Sequence, residues 1–192
     1  ALQYSITEGY PPLRKAVAER IKNKFGIGGE HDETIITSGG QQGIELLCKA
    51  LCNEGDVVVC ENPSFIGALN AFRSNGAKTV GVPLRDDGID VDELEKVLAT
   101  TDNVKLLYLI PTFQNPAGIT TSLEKRLAIC VGRAALGHPR EKLLYIAYLK
   151  PRLLQALDNA QRLKLIVAEK ADAAAPLKPG EKPLLIVISQ RR

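Results

Sequence analysis

Three short loops hold the residues that could do chemistry. The first is Ser38-Gly39-Gly40-Gln41-Gln42-Gly43, between a short strand-like run and a helix-like one. Glycines let successive backbone N–H groups turn toward one point, and a helix N-terminus adds partial positive charge. The chemistry on offer is anion binding, phosphate above all. A glycine turn before a helix is also an ordinary structural device, and both readings stand on this segment alone. Its spacing is neither G-x-G-x-x-G nor G-x-x-x-x-G-K-[ST], which argues against a dinucleotide or a nucleoside triphosphate. The second loop lies in Tyr108-Leu109-Ile110-Pro111-Thr112-Phe113-Gln114-Asn115-Pro116-Ala117-Gly118. Asn115 follows an apolar strand there, either projecting toward a ligand at the strand's carboxyl end or capping a rigid turn. The third, Glu61-Asn62-Pro63-Ser64-Phe65-Ile66-Gly67, also leaves a strand, and Phe65 is either a flat platform for an aromatic ligand or a core side chain.

The elements that would carry these loops alternate between helix and strand, which predicts a largely parallel sheet with crossover helices. A helix starts at Pro11-Pro12 and runs to about Phe25, stopped by Gly26-Ile27-Gly28-Gly29. Strand Thr34–Thr37 leads through the glycine turn into a helix from Gln41 to about Cys52. Strand Asp56–Cys60 follows, then a helix opened by Pro63 and ended near Ser74 by Asn75-Gly76. After strand Lys78–Val82, Asp90 and Glu93 are spaced as a capping box for a helix to about Thr100. Strand Lys105–Ile110 precedes a second such pair, Thr121 and Glu124, opening a helix to about Arg133. Beyond Gly137 the pattern suggests strands at Lys142–Leu149, Leu163–Ala168 and Leu184–Ser189. It places a helix at Arg152–Ala160 and a linker at Ala171–Lys182.

Composition narrows the function classes. The 192 residues are 45% hydrophobic and 24% charged, with a net charge of +3, as in an ordinary globular protein. There is no basic stripe interleaved with aromatics, so nucleic acid is not an expected partner. The apolar runs are of strand length, so no membrane span is expected. Cys48 and Cys52 share the apolar face of a helix, Cys60 ends a strand and Cys130 lies in a later helix pattern. These suit buried reduced thiols and a cytoplasmic location better than disulfides. His31 and His138 are remote from the cysteines, and no metal site is expected. A chain opening on Ala1-Leu2-Gln3-Tyr4, with no methionine, reads as an excised or processed piece.

In this order and spacing, together with Leu2-Gln3-Tyr4-Ser5-Ile6-Thr7-Glu8-Gly9-Tyr10-Pro11-Pro12-Leu13-Arg14, the loops resemble the fold type I enzymes that use pyridoxal 5'-phosphate (PLP). The likeness is to the aminotransferase branch that includes 2-aminoadipate, aromatic and broad-specificity enzymes, over residues 1 to about 130. The resemblance implies a three-layer α/β/α large domain with a mostly parallel sheet, here truncated, over residues 1–135. Residues 136–192 would be an additional α/β segment on the same sheet. It implies amino-group transfer between an amino acid and a 2-oxo acid, PLP as cofactor, and a homodimer. By position, Gly39, Gly40 and Gln41 would hold the PLP phosphate and Phe65 would stack on the pyridine ring. Asn115 would hydrogen-bond the phenolic oxygen, and Tyr4 would reach the phosphate in the neighbouring subunit.

The family's remaining parts have no match. Its pyridine-nitrogen aspartate stands in Glu-Asp-x-x-Tyr, where this chain has Leu143-Leu144-Tyr145-Ile146-Ala147-Tyr148, with no acid before Tyr148. Its Schiff-base lysine stands in Ser-x-Ser-Lys. Ser122-Leu123-Glu124-Lys125 has similar letters but sits too early, and Lys150, Lys164, Lys170, Lys178 and Lys182 lack the surroundings. No catalytic residue is assigned. The alternative is a non-catalytic α/β module that binds a phosphate ligand or another subunit.

Overall fold

The structure is a computed structural model, and it describes residues 4, 6–25, 28, 33–135, 144–147 and 185–189. The described elements are α1 (Pro11–Phe25), β1 (Glu33–Thr37), α2 (Gly40–Leu51), β2 (Val57–Asn62), α3 (Ile66–Ser74) and β3 (Lys78–Arg85). They continue with β4 (Gly88–Ile89), α4 (Val91–Thr100), β5 (Val104–Leu109), α5 (Leu123–Ala135), β6 (Leu144–Ala147) and β7 (Leu185–Ser189).

β2 is Val-Val-Val-Cys-Glu-Asn, and its first five residues are all buried, as a strand covered on both faces must be. The pleat sorts its side chains. Val58 and Cys60 face one layer with Leu106 and Tyr108 of β5, packed on Ile44, Leu47 and Cys48 of α2 and Ala68 and Phe72 of α3. Val57 and Val59 face the other layer with Leu107 and Leu109, packed on Leu94 and Leu98 of α4 and Ile129 of α5. Helices therefore cover both faces of a five-stranded sheet ordered β4-β3-β2-β5-β6. β3, β2, β5 and β6 run parallel, and β4 is antiparallel to β3. This is the expected three-layer α/β arrangement. β1 pairs in parallel with β7 in a separate two-stranded sheet, and α2 packs against both strands and against α3. Arg14 ties α1 to β1, donating to the Thr34 carbonyl at 2.6 Å and pairing with Glu33 at 2.8 Å.

The order carries a consequence. β2 has β3 on one side and β5 on the other, and the chain leaves the two strands toward opposite faces: α3 joins the first layer and α5 the second. Loops that diverge from adjacent parallel strands leave a crevice at their carboxyl ends, where ligands bind in open α/β sheets.

Several expectations are corrected in detail. α3 begins at Ile66 rather than at Pro63, because Phe65 is its extended N-cap residue and the Pro63 carbonyl is turned to the Gln114 amide at 2.8 Å. The cap of α5 is Ser122, whose Oγ accepts from the Lys125 N–H at 3.3 Å. Thr121 is instead buried, its N–H donating to the Pro111 carbonyl at 2.9 Å. Asp90 caps α4 through the Glu93 N–H at 3.1 Å, but the Glu93 carboxylate pairs with Lys96, so only half of that box forms. β3 runs on to Arg85 and turns into β4, a hairpin that the sequence reading did not contain. The expected strand Leu163–Ala168, helix Arg152–Ala160 and linker 171–182 lie outside the described residues. Cys48, Cys52 and Cys60 are free thiols, and the Cys130 side chain lies outside the described residues.

Candidate functional site

The Ser38–Gly43 turn is built for open N–H groups. Gly39 is the N-cap residue of α2 at φ 99°, and no side chain caps the helix there. That φ belongs to the left-handed half of the map, where a side chain is strained. Neighbouring side chains hold the turn: Gln42 Oε1 accepts from the Ser38 N–H at 2.6 Å, and Thr37 Oγ1 donates to the Gly39 carbonyl at 3.2 Å. The first N–H groups of a helix have no acceptor within it. A Cβ placed on Gly39 would meet no heavy atom within 4 Å.

The Gln41 side chain leaves the cradle for a neighbouring loop, its amide donating to the Gly67 carbonyl at 2.7 Å. Gly67 stands in the first turn of α3, one residue beyond Ile66. A Cβ there would meet Cζ and Cε1 of Phe65 at 2.6 and 2.7 Å and would run into Gln41 Oε1. Phe65 is half-buried, packed on the edge of the α2–α3 core layer. Beside it, Ser64 Oγ is buried with no hydrogen-bond partner among the described residues.

The crevice between β2 and β5 has a polar floor. Glu61, one residue from the end of β2, is 2% exposed. Its Oε2 accepts from the Ile110 N–H at 3.1 Å and from Gln114 Nε2 at 3.3 Å. Burial pushes the Glu61 carboxyl up to about 7, against the downward pull of those two donors. Gln114, also 2% exposed, uses both ends of its amide. Nε2 reaches Glu61 and the Pro63 carbonyl, and Oε1 accepts from the Ala117 N–H at 2.8 Å. Its backbone is engaged too, with Gln114 N–H to Ile119 carbonyl at 2.8 Å. Asn115, the next residue, stands exposed in the loop.

Behind the loop, Arg126 of α5 is 7% exposed. It donates to the Thr121 carbonyl at 2.8 Å, the Pro111 carbonyl at 2.5 Å and Thr112 Oγ1 at 3.4 Å, gripping both ends of the segment that carries Asn115. Its Nη1 has no partner among the described residues.

The glycine turn (Gly39, Gly40, Gln41) is therefore linked to the Phe65 loop through Gln41, and the Phe65 loop to the Asn115 loop through Gln114. Tyr4 is not drawn in: it is fully exposed in the N-terminal segment. Sequence reasoning gave no role to Glu61, to the Gln114 side chain or to the Gln41–Gly67 bond. For Glu61 a signal existed, an acid closing a run of buried strand residues, where charge is rare. For the two amides there was none, since an exposed glutamine and a clamping one look alike in a sequence.

Residues 1–134 match the model of the aminotransferase class I and II family. The chain is 47% identical over 126 residues to 2-aminoadipate transaminase of Thermus thermophilus, covering 66% of this chain and 30% of that one. It is 41% identical over 130 residues to aromatic-amino-acid aminotransferase 1 of Thermococcus litoralis, covering 66% and 31%. The crystal structure of LysN, an alpha-aminoadipate aminotransferase from Thermus thermophilus complexed with N-(5'-phosphopyridoxyl)-L-leucine, superposes with a TM-score of 0.59. It is 33% identical, covering 83% of this chain and 51% of that one. The chain thus spans about a third of the length of the curated relatives it matches. These relatives indicate pyridoxal phosphate as the cofactor. The chain belongs to the aminotransferase class I and II family.

Proposed function

We propose that this chain supplies the cofactor-holding part of a PLP-dependent aminotransferase acting on an amino acid and a 2-oxo acid. The observation that carries the reading is the linkage of a helix N-terminus with no side-chain cap to two loops at a strand-end crevice. The fit is chemical as well as spatial. A phosphate dianion suits open N–H groups at the positive end of a helix, and a pyridine ring suits a half-buried phenyl at the crevice edge.

When bound, PLP supplies the electron sink that lets an amino group move between carbon skeletons. The chain's own residues bind and orient it. Backbone N–H groups at Gly39, Gly40 and Gln41 hold the phosphate, Phe65 covers one ring face, and the Asn115 amide donates to the phenolic oxygen. Tyr4 serves the phosphate of a neighbouring copy, so the working unit in this reading is a homodimer. Residues 1–135 form the cofactor-holding segment and 136–192 a further α/β segment. The three free thiols support a reducing, cytoplasmic setting.

The test is a PLP titration followed by equilibrium dialysis and absorbance. Saturable binding is expected, and Asn115→Ala should weaken it and shift the absorbance of bound PLP while leaving the unfolding midpoint nearly unchanged. Loss of folding, with unaltered affinity in the folded fraction, would instead assign Asn115 to the turn alone. Competition by inorganic phosphate places the cradle; a bound anion elsewhere ends this reading.

A further inference from the structure

Gln114 and Glu61 touch both loops of the crevice without belonging to the cofactor-contacting set proposed above. Gln114 Nε2 donates across the crevice to the Pro63 carbonyl at 2.8 Å, two residues before Phe65, while its backbone leads directly into Asn115. Its Oε1 accepts from the Ala117 N–H at 2.8 Å and its carbonyl from the Gly118 N–H at 2.5 Å, closing the loop around Asn115. Glu61 lies beneath, its Oε2 shared between the Gln114 amide and the Ile110 N–H. Both ends of the Gln114 side-chain amide thus bind partners within the crevice floor.

We propose that Gln114 is a positioning residue, anchored on the buried Glu61, that fixes the spacing between the Phe65 platform and the Asn115 amide and so presets the crevice for the cofactor ring. The proposal rests on the PLP reading of the site and deepens it. An exposed loop residue such as Asn115 has many orientations in a free loop, and binding would have to select one. A loop tied at its Gln114 side chain, at Ala117 and at Gly118 has already given up that freedom. Glu61 needs only to accept hydrogen bonds in this role, so an amide can replace its carboxyl. The prior protonation of that carboxyl, whose pKa lies near 7 through burial, is not required for the geometry.

The experiment measures PLP affinity by equilibrium dialysis on the full chain, with folding checked by circular dichroism, for Gln114→Leu, Gln114→Met, Glu61→Gln, Asn115→Ala and the Gln114→Leu/Asn115→Ala pair. Loss of a buried hydrogen-bonded clamp should weaken PLP about tenfold in Gln114→Leu. It should also shift the absorbance of bound PLP in the same direction as Asn115→Ala. In the double variant Asn115→Ala should add little, because the amide it removes is already displaced. Glu61→Gln should retain affinity, since its amide oxygen can accept the same two donors. Unchanged affinity and spectrum in folded Gln114→Leu, beside weakened binding in Asn115→Ala, would overturn the clamp and leave the cofactor site intact. Unchanged affinity in Asn115→Ala as well would overturn the site reading itself. Should Gln114→Leu fail to fold, Gln114→Met decides: it keeps the unbranched side chain's length but cannot donate to Pro63, and wild-type affinity in that variant also overturns the proposal.

Discussion

Gly67 is a position where a single added atom should matter to binding and hardly at all to folding. Its backbone is ordinary first-turn helix, so no special φ demands glycine there. Space does: an added Cβ would sit 2.6 Å from Phe65 Cζ and would strike Gln41 Oε1. Both obstacles are the far ends of side chains, which can swing aside, and alanine is the better helix former by about 1 kcal/mol. Gly67→Ala should therefore fold with an unfolding free energy within about 1 kcal/mol of wild type. It should nonetheless weaken PLP binding, because the ring platform and the amide that joins it to the glycine turn both have to move. Parallel denaturant unfolding and PLP titration check this. Unchanged affinity in the folded variant would show that Phe65 and Gln41 have room to rearrange without cost to the site.

At the scale of elements, the strands and helices were legible wherever burial imposed a period. Val57-Val58-Val59-Cys60 and Leu106–Leu109 read as strands because short apolar runs bounded by turn or polar residues suit a strand covered on both faces. α2 read as a helix because Ile44, Leu47 and Cys48 repeat on one face. What failed were ends and caps, where one hydrogen bond decides. Thr121 and Ser122 are both good caps by type, and the choice fell to Ser122 because the Arg126 guanidinium and Pro111 claim Thr121. The glycine turn and the Asn-Pro loop were legible as a site through their residue types, but the amides that bind the loops to one another were not, since their partners are distant in sequence. The junction of β2 and β5 makes a pH prediction. Glu61 rises from 4.5 to about 7 on folding because burial disfavours its charge. Its contribution to stability is thus fully present below pH 4.5 and lost as pH rises through about 7. That gap corresponds to roughly 3 kcal/mol. Urea midpoints should fall between pH 5 and pH 8 in wild type, with a smaller fall in Glu61→Gln. Parallel pH profiles for the two proteins would remove Glu61 as the source.

At the scale of the whole molecule, holding a cofactor and turning over substrate are separable, and this chain is expected to do the first without the second. Residues 1–134 carry the family match, and the crevice, the glycine turn and the loops that meet there all fall within it. Transamination further needs a lysine as covalent anchor and proton carrier, a carboxylate at the pyridine nitrogen, and a cation for the substrate carboxylate. Strand β6, Leu144–Ala147, lies beside β5, where the resemblance leads one to expect the family's acid-bearing strand, and it contains no acid. The lysines after Arg126 stand outside any Ser-x-Ser-Lys context. Lys125, whose surroundings come nearest in letters, is committed to Asp87 at 2.6 Å and to the Gly88 carbonyl, on the α4–α5 side of the sheet. Catalytic parts that act as a unit fail together, so an intact cradle does not soften the loss of the others. With the purified chain saturated in PLP, a panel of amino acids and 2-oxoglutarate should be transaminated no faster than by free PLP. Borohydride treatment should fix no adduct on a single lysine. A turnover of about one per second or more, within the ordinary enzyme range, together with one labelled lysine, would identify a catalytic residue in the last third of the chain and refute this expectation. Saturable binding without turnover would make the chain a cofactor-holding module.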